Sequence, residues 1–425
     1  MKEVLNLIIN IITDAKVVMG IVVLIGMVLQ KKSFNETLTS TIKTIMGLII
    51  MSAGSSLVTS VTSTLLLFFQ KGMNTTGVVP LTNPYVADAF EQDFAYLIGY
   101  IVLGSFLINF VLARFTRFKY IFLSGHHILY IAIVLIVCLK TLKLNDITII
   151  LLGSVLAGIL LTLSPAINQK QMRKITGNAP FAIGQFGSVG YWLCTKISSK
   201  IGDPEDSCEE VKLPKWLGFA SDTTLSASLV MLIMYLIILA VMGPDFIKNS
   251  LELTDSLVLY LLIQSVTFGA GLWIMMNGVK MMVNEIITAF EGISKKLVPD
   301  SVPALDCPTV FQYSPNAVVL GFMTATITCC AASIVFSLFT NVLLVPCISE
   351  CFYAGATAAV FGNSAGGKKG AVVSSILQGV LIAILPYFYW QFTSGVFNSM
   401  YTMVSTDFCL VAIVIHIIGK LFGLV

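Results

Sequence analysis

Charge is what this sequence lacks. Of 425 residues only 11% are Asp, Glu, Lys or Arg, against about 25% in an ordinary soluble domain, so the chain cannot cover a soluble surface. The 25 basic and 22 acidic side chains leave +3, too little for a nucleic-acid binder, and the mean hydropathy of +0.91 excludes disorder. The sequence has no Walker loop, no HExxH and no paired CxxC, which argues against an ATP-driven pump or an intramembrane metalloprotease. It holds three His and nine Cys. The cysteines fall mostly in apolar runs without metal-type spacing to histidine and read as small buried hydrophobes, so neither a metal nor another cofactor is expected. Cys208, in the polar stretch Asp203 to Glu210, is the one expected to meet water. No nucleophile stands beside an activating base, so the chain is expected to be no enzyme by itself. Met1 to Thr13 carries Glu3, is followed by Asp14 and has no small-residue cleavage site; it reads as an interfacial or first-domain helix rather than a cleavable signal.

What the sequence does have is apolar runs, each near the roughly 20 residues that cross a bilayer core. They fall near 17–30, 44–69, 95–113, 120–139, 146–165, 224–243, 256–277, 317–340, 342–362, 371–391 and 400–424. An all-α, polytopic membrane protein of about eleven spans is therefore expected, a single permease unit over residues 1–425. Lys31, Lys32 and Lys43 mark one side, Asp88, Glu91 and Asp93 the other, and Arg114, Arg117 and Lys119 return to the first. The positive-inside rule then puts the N-terminus outside the cytoplasm. The link with Lys140 and Lys143 violates that rule.

Three stretches are neither spans nor ordinary loops: Asn178 to Leu193, Pro299 to Pro315 with its four prolines, and the glycine cluster Phe361 to Gly370. Broken backbone at membrane depth is tolerated only where it lines a cavity or is buried in protein, which points to a transporter or channel. A weak echo relates residues 42–58 to 279–298, and Ser124-Gly125-His126 to Ser314-Pro315-Asn316. It suggests inverted half-repeats, 1–215 and 216–425, with a substrate site between them.

Polar groups inside hydrocarbon are costly and therefore informative. His126 and His127 lie about 100° apart on one helix, so only one is expected to face a cavity, with Tyr130 a turn further on the same face as His126. Asp306, between prolines in Pro303 to Pro308, is expected to accept hydrogen bonds from a ligand or from its own turn. Gln185 offers donor and acceptor, Phe186 a stacking surface, and Tyr85, after Pro84, a lid. His416 reads as helix glue. Such a lining suits a neutral or weakly acidic polyol better than a metal ion or a dianion.

Thr41 to Gly54, Val211 to Leu217, Gly278 to Cys307 and Ser314 to Phe322 resemble the ascorbate-type membrane component, enzyme IIC, of the bacterial phosphoenolpyruvate-dependent phosphotransferase system. The resemblance implies an eleven-span homodimer in the cytoplasmic membrane, with a substrate-carrying core domain and a dimer-forming scaffold. It further implies that L-ascorbate, or a related sugar acid or polyol, is released inward as a soluble enzyme IIB, itself charged by enzyme IIA, phosphorylates it. Ligand contacts carried over by this resemblance are Tyr85, His126 and Asp306, which match the family, and Pro84, Tyr130, Gln185 and Phe186, which stand at family contact positions with different residues. An ion-coupled secondary transporter is the alternative; it would need a dedicated carboxylate, for which Asp306 and Glu285 are the candidates. The segment Lys196 to Trp216, with its mixed charges, is expected to form part of the dock for the soluble partner.

Overall fold

The computed structural model describes residues 15–73, 77–91, 94–210, 223–253, 256–340, 342–396 and 401–423. Met1 to Thr13 and the motif Val211 to Leu217 lie outside them. Helices dominate, because long apolar runs in a bilayer must satisfy every backbone group internally. Among the described residues six helices are long and apolar enough to cross a membrane, or seven if the pair Ala227–Met242 and Pro244–Leu251, bent by 108°, counts as one span. This makes the chain an all-α multi-pass membrane protein, and its described residues show fewer clean spans than the eleven expected. Part of the difference has an identifiable cause. The runs 342–362 and 371–391 join into one candidate span, Ile348–Thr393, while the run 120–139 begins with a strand and leaves the shorter helix Gly125–Thr141.

Two long helices form a spine. α1 (Ala15–Leu29) and α2 (Phe34–Met73) pack against α10 (Leu257–Lys296), which follows α8 (Thr223–Met242) and α9 (Pro244–Leu251). Glycines let α2 and α10 touch backbone to backbone: a Cβ at Gly47 would lie 2.8 Å from the Gly278 carbonyl oxygen, and one at Gly54 2.5 Å from that of Gly271. The pairing is reciprocal, Gly47 and Gly54 meeting Gly278 and Gly271. Gly47 lies against Gly278 and Gly54 against Gly271, so the two helices run antiparallel at this contact. Lys43 pairs with Glu285 across the same contact at 3.6 Å.

The remainder is organised by short parallel strands. β2 (Tyr120–Phe122), β3 (Ala182–Ile183) and β4 (Val302–Leu305) form one sheet in the order β2-β4-β3, with Phe122 and Ala182 both opposite Ala304. β1 (Gly77–Val78) pairs in parallel with β5 (Leu343–Leu344), and Val79 bridges Tyr401 in parallel. Each strand ends in a helix: α3 (Thr82–Glu91) follows β1, α5 (Gly125–Thr141) follows β2, and α7 (Ser188–Ile201) follows β3. The four-residue α11 (Pro308–Phe311) follows β4, the three-residue α13 (Ile348–Glu350) follows β5, and α15 (Thr406–Leu421) follows Tyr401. α4 (Ala95–Phe115), α6 (Asp146–Thr176), α12 (Pro315–Thr340) and α14 (Ala356–Thr393) pack around them. Asn145 caps α6 by accepting from the Thr148 N–H.

α14 breaks where the glycine cluster lies. Gly366 and Gly367 leave helical geometry, and Gly367 has φ +59°, a left-handed conformation that favours glycine. The segment 203–210 straps across this break. The Lys368 N–H donates to the Asp206 carbonyl at 2.8 Å, the Lys368 Nζ meets the Asp206 carboxylate at 2.6 Å, and Asn363 accepts from the Cys208 N–H at 2.8 Å. Cys208 is consequently 2% exposed, correcting the expectation that it meets water, and burial pushes its thiol up to about 11. Glu209 accepts from the N–H groups of Asn316 and Ala317 at the start of α12, while burial raises its carboxyl above the usual range. Within the expected dock, then, Asp206 and Glu209 hold the fold, Glu210 is exposed, and 211–216 lie outside the described residues. In the link that violated the charge rule, Lys140 pairs with Asp146 at 2.6 Å.

Candidate substrate site

Parallel strands deliver the residues that follow them to one end. The residues following all six extended segments converge on a single cavity of about 960 Å³. One sheet supplies Ser124, His126 and His127 after β2, Gln185 after β3, and Asp306 after β4. The other supplies Thr82 after β1, Ser349 and Glu350 after β5, and Ser405 after Tyr401. The opposite wall belongs to the spine, with Lys16 and Met19 of α1, Ser52, Ser55 and Ser56 of α2, and Met282 of α10.

Asp306 is the centre of the first wall. Its Oδ1 accepts from the Cys307 N–H at 2.7 Å, and its carbonyl accepts from the Thr309 hydroxyl at 2.6 Å. The Nε2 atoms of His126 and His127 lie 3.4 and 3.6 Å from its two carboxylate oxygens. Both histidines therefore face the same group, contrary to the expectation from their 100° separation. Both belong to the first turn of α5, and Asp306 arrives from the end of a neighbouring strand rather than beside the helix, so the two rings lean to it with centroids 4.4 Å apart. His127 is nearly enclosed, whereas His126 is the open ring, its side chain 40% exposed. Tyr130 stands edge-on to His126 at 5.6 Å and lines the cavity.

Gln185 also lines the cavity, its side-chain oxygen accepting from the Tyr191 hydroxyl, which orients the amide. Phe186 does not line it: its ring lies behind the wall, 4.8 Å from Phe408 and 5.6 Å from Phe122. Tyr85 is likewise outside the cavity lining. It is 3% exposed and its hydroxyl lies 3.0 Å from that of Tyr389, a core contact in place of the expected lid. Pro84 falls within α3, and its side chain lies outside what the structure describes. His416 stacks on Phe392 at 3.9 Å, nearly parallel, joining α15 to α14 through ring faces.

Sequence reasoning missed Glu350. It was hidden inside the run 342–362, read as one continuous span, yet β5 breaks that run and Glu350 ends the short helix after it. Its side chain is buried in the cavity wall, and its Oε1 has no hydrogen-bond partner. The available signal was Val345-Pro346-Cys347, a proline within an apolar run. Glu285, by contrast, is paired with Lys43 and is not among the cavity-lining residues.

The donor atoms of His126, His127 and Asp306 lie within 4.8 Å of one another, a spacing that could hold a cation. The Nδ1 of His127 is buried without a partner, however, whereas a metal-bound imidazole almost always donates its other N–H. The set instead presents hydrogen-bonding groups suited to hydroxyls: a carboxylate, an open imidazole, an amide, serines and a second carboxyl.

Spans interrupted by short strands, with a polar cavity enclosed at the interruptions, define a multi-pass membrane permease for a small polar solute. The family model for the PTS system sugar-specific permease component matches residues 10–408, and the chain belongs to that family. It is also similar to the ascorbate-specific PTS system EIIC component of Mycoplasma pneumoniae, 25% identical over 443 residues that cover 92% of this chain and 67% of the relative. The chain is thus the membrane permease component of a sugar phosphotransferase system.

Proposed function

We propose that the cavity binds L-ascorbate or a related sugar acid or polyol, and that the sugar is released inward as a soluble enzyme IIB, recharged by enzyme IIA, phosphorylates it. The observation that carries this reading is the convergence of six strand ends on one cavity. It gathers polar side chains from across the chain that a purely structural bundle would have no reason to bury together. The relative's ascorbate specificity supports the choice of sugar.

In this reading Asp306 accepts from sugar hydroxyls, His126 and Gln185 fix the ring, and Tyr130 closes one side. Tyr85 and Phe186 support the wall from behind, and Glu350 faces the sugar from the second sheet. The halves 1–215 and 216–425 are inverted repeats, each a helical arm followed by strand-led segments, and the α1, α2, α8 to α10 spine is the scaffold on which a homodimer forms. The exposed Glu210 belongs to the dock for the soluble partner. Purified protein supplied with phosphoenolpyruvate, the soluble phosphotransferase proteins and L-ascorbate should yield ascorbate phosphate, and omission of the membrane protein should abolish it. No product with the complete set, while a panel of other polyols is phosphorylated, would reject ascorbate as the substrate.

A further inference from the structure

The β2-β4-β3 sheet has a second, upstream end, away from the cavity. There a groove of about 570 Å³ is lined by Tyr120, Gln169, Lys170, Arg173, Lys174 and Asn178. Its floor is a fixed turn: Gly177 and Asn178 are both left-handed, at φ 63° and 70°, and the Asn178 N–H donates to the Arg173 carbonyl at 2.8 Å. Lys170, Arg173 and Lys174 are exposed, and among the described residues none is in a salt bridge. The carboxyl end of α6 favours cations there but offsets only about half a charge. Three cations in one concave site therefore leave a net positive field.

The position of this groove along α6 says what would occupy it. Exposed apolar side chains recur every four residues, at Ile147, Leu151, Val155, Ile159, Leu163 and Ile167, and the exposed Lys170 and Lys174 follow within the next two turns. At 1.5 Å per residue the apolar part is about 30 Å long, the thickness of a bilayer's hydrocarbon core. The cations thus begin where the hydrocarbon ends, at headgroup depth. Basic pockets between membrane helices at this depth fit anionic headgroups, and a guanidinium matches the fork of two phosphate oxygens.

We propose that this groove seats the phosphate of an anionic phospholipid, phosphatidylglycerol being the probe of choice, with its acyl chains along the apolar row of α6. Arg173 and the two lysines meet the phosphodiester, and the Tyr120 hydroxyl and Asn178 amide reach its glycerol. The test is native mass spectrometry of the detergent-purified full chain titrated with phosphatidylglycerol or phosphatidylcholine. Wild type should retain a phosphatidylglycerol adduct that Lys170→Gln/Arg173→Gln/Lys174→Gln loses, with binding on the order of 100-fold weaker. Charge removal at the exposed Lys31, Lys248 and Lys420 should leave the adduct intact, as should Lys170→Arg/Lys174→Arg, which keeps the charge. Equal retention by the triple Gln variant, or equal binding of phosphatidylcholine, would overturn the proposal. So would displacement of the lipid by millimolar inorganic phosphate, which would make this a site for soluble phosphate. Loss of binding to a phosphorylated soluble partner with lipid retention unchanged would assign the groove to that protein instead.

Discussion

Replacing Asp306 by Asn removes one charge and almost nothing else. The Cys307 N–H bond to Oδ1, at 2.7 Å, can pass to the amide oxygen, and the backbone bonds from Thr309 are untouched. The imidazole contacts, at 3.4 and 3.6 Å, exceed the 2.7–3.2 Å of a good N–H to oxygen bond, so their loss should change stability little. What disappears is the charge-assisted bond to a sugar hydroxyl, worth roughly 1.5–3 kcal/mol. At about 1.4 kcal/mol per decade, the variant should bind L-ascorbate roughly ten- to hundredfold more weakly. Equilibrium binding of radiolabelled L-ascorbate to protein purified in detergent, with thermal melts confirming equal folding, measures this. A Kd within twofold of wild type would show that Asp306 serves only its own turn and its two histidines.

Other parts of the structure give separate expectations. Gly54→Ala forces a methyl group against the Gly271 carbonyl in the spine and should destabilise by about 1–3 kcal/mol; an unchanged Tm would mean the helices part without cost. Phe186→Gln puts a polar group among Phe122, Phe408 and His127. It should therefore lower stability by about 1–3 kcal/mol without tightening ascorbate binding, which ligand titration and melting checked together would reveal. Glu209 is raised above its ordinary 4.5 by burial, so its contribution to stability is full below pH 4.5 and is lost as pH rises through the higher folded value. The Tm of wild type relative to Glu209→Gln should therefore fall as pH rises above 4.5, and a gap independent of pH would contradict the assignment.

The parts of this architecture that were legible in the sequence share one physical basis. Polar or glycine-rich interruptions inside apolar runs are costly, so His126, Gln185 and Asp306 stood out, as did the break at Gly366 and Gly367. The pairing of strands was not legible. β2, β3 and β4 span two to four residues each and join positions far apart in sequence, below the length at which alternation can be read. That is why both histidines could meet Asp306 although helix geometry alone separates them. Glu350 was hidden because a two-residue strand splits what looks like one span. Tyr85 and Phe186 carried no mark to distinguish a ring facing a ligand from one packed behind it, and the structure places both in the core.

In the proposed function this permease releases its sugar by phosphorylation rather than by following an ion gradient. Proteoliposomes enclosing phosphoenolpyruvate and the soluble phosphotransferase proteins, given external radiolabelled L-ascorbate, test it most directly. Label should accumulate inside as the phosphate ester, and none should accumulate when the soluble proteins are omitted, whatever proton or Na⁺ gradient is imposed. Accumulation of unmodified ascorbate driven by either gradient would contradict release by phosphorylation.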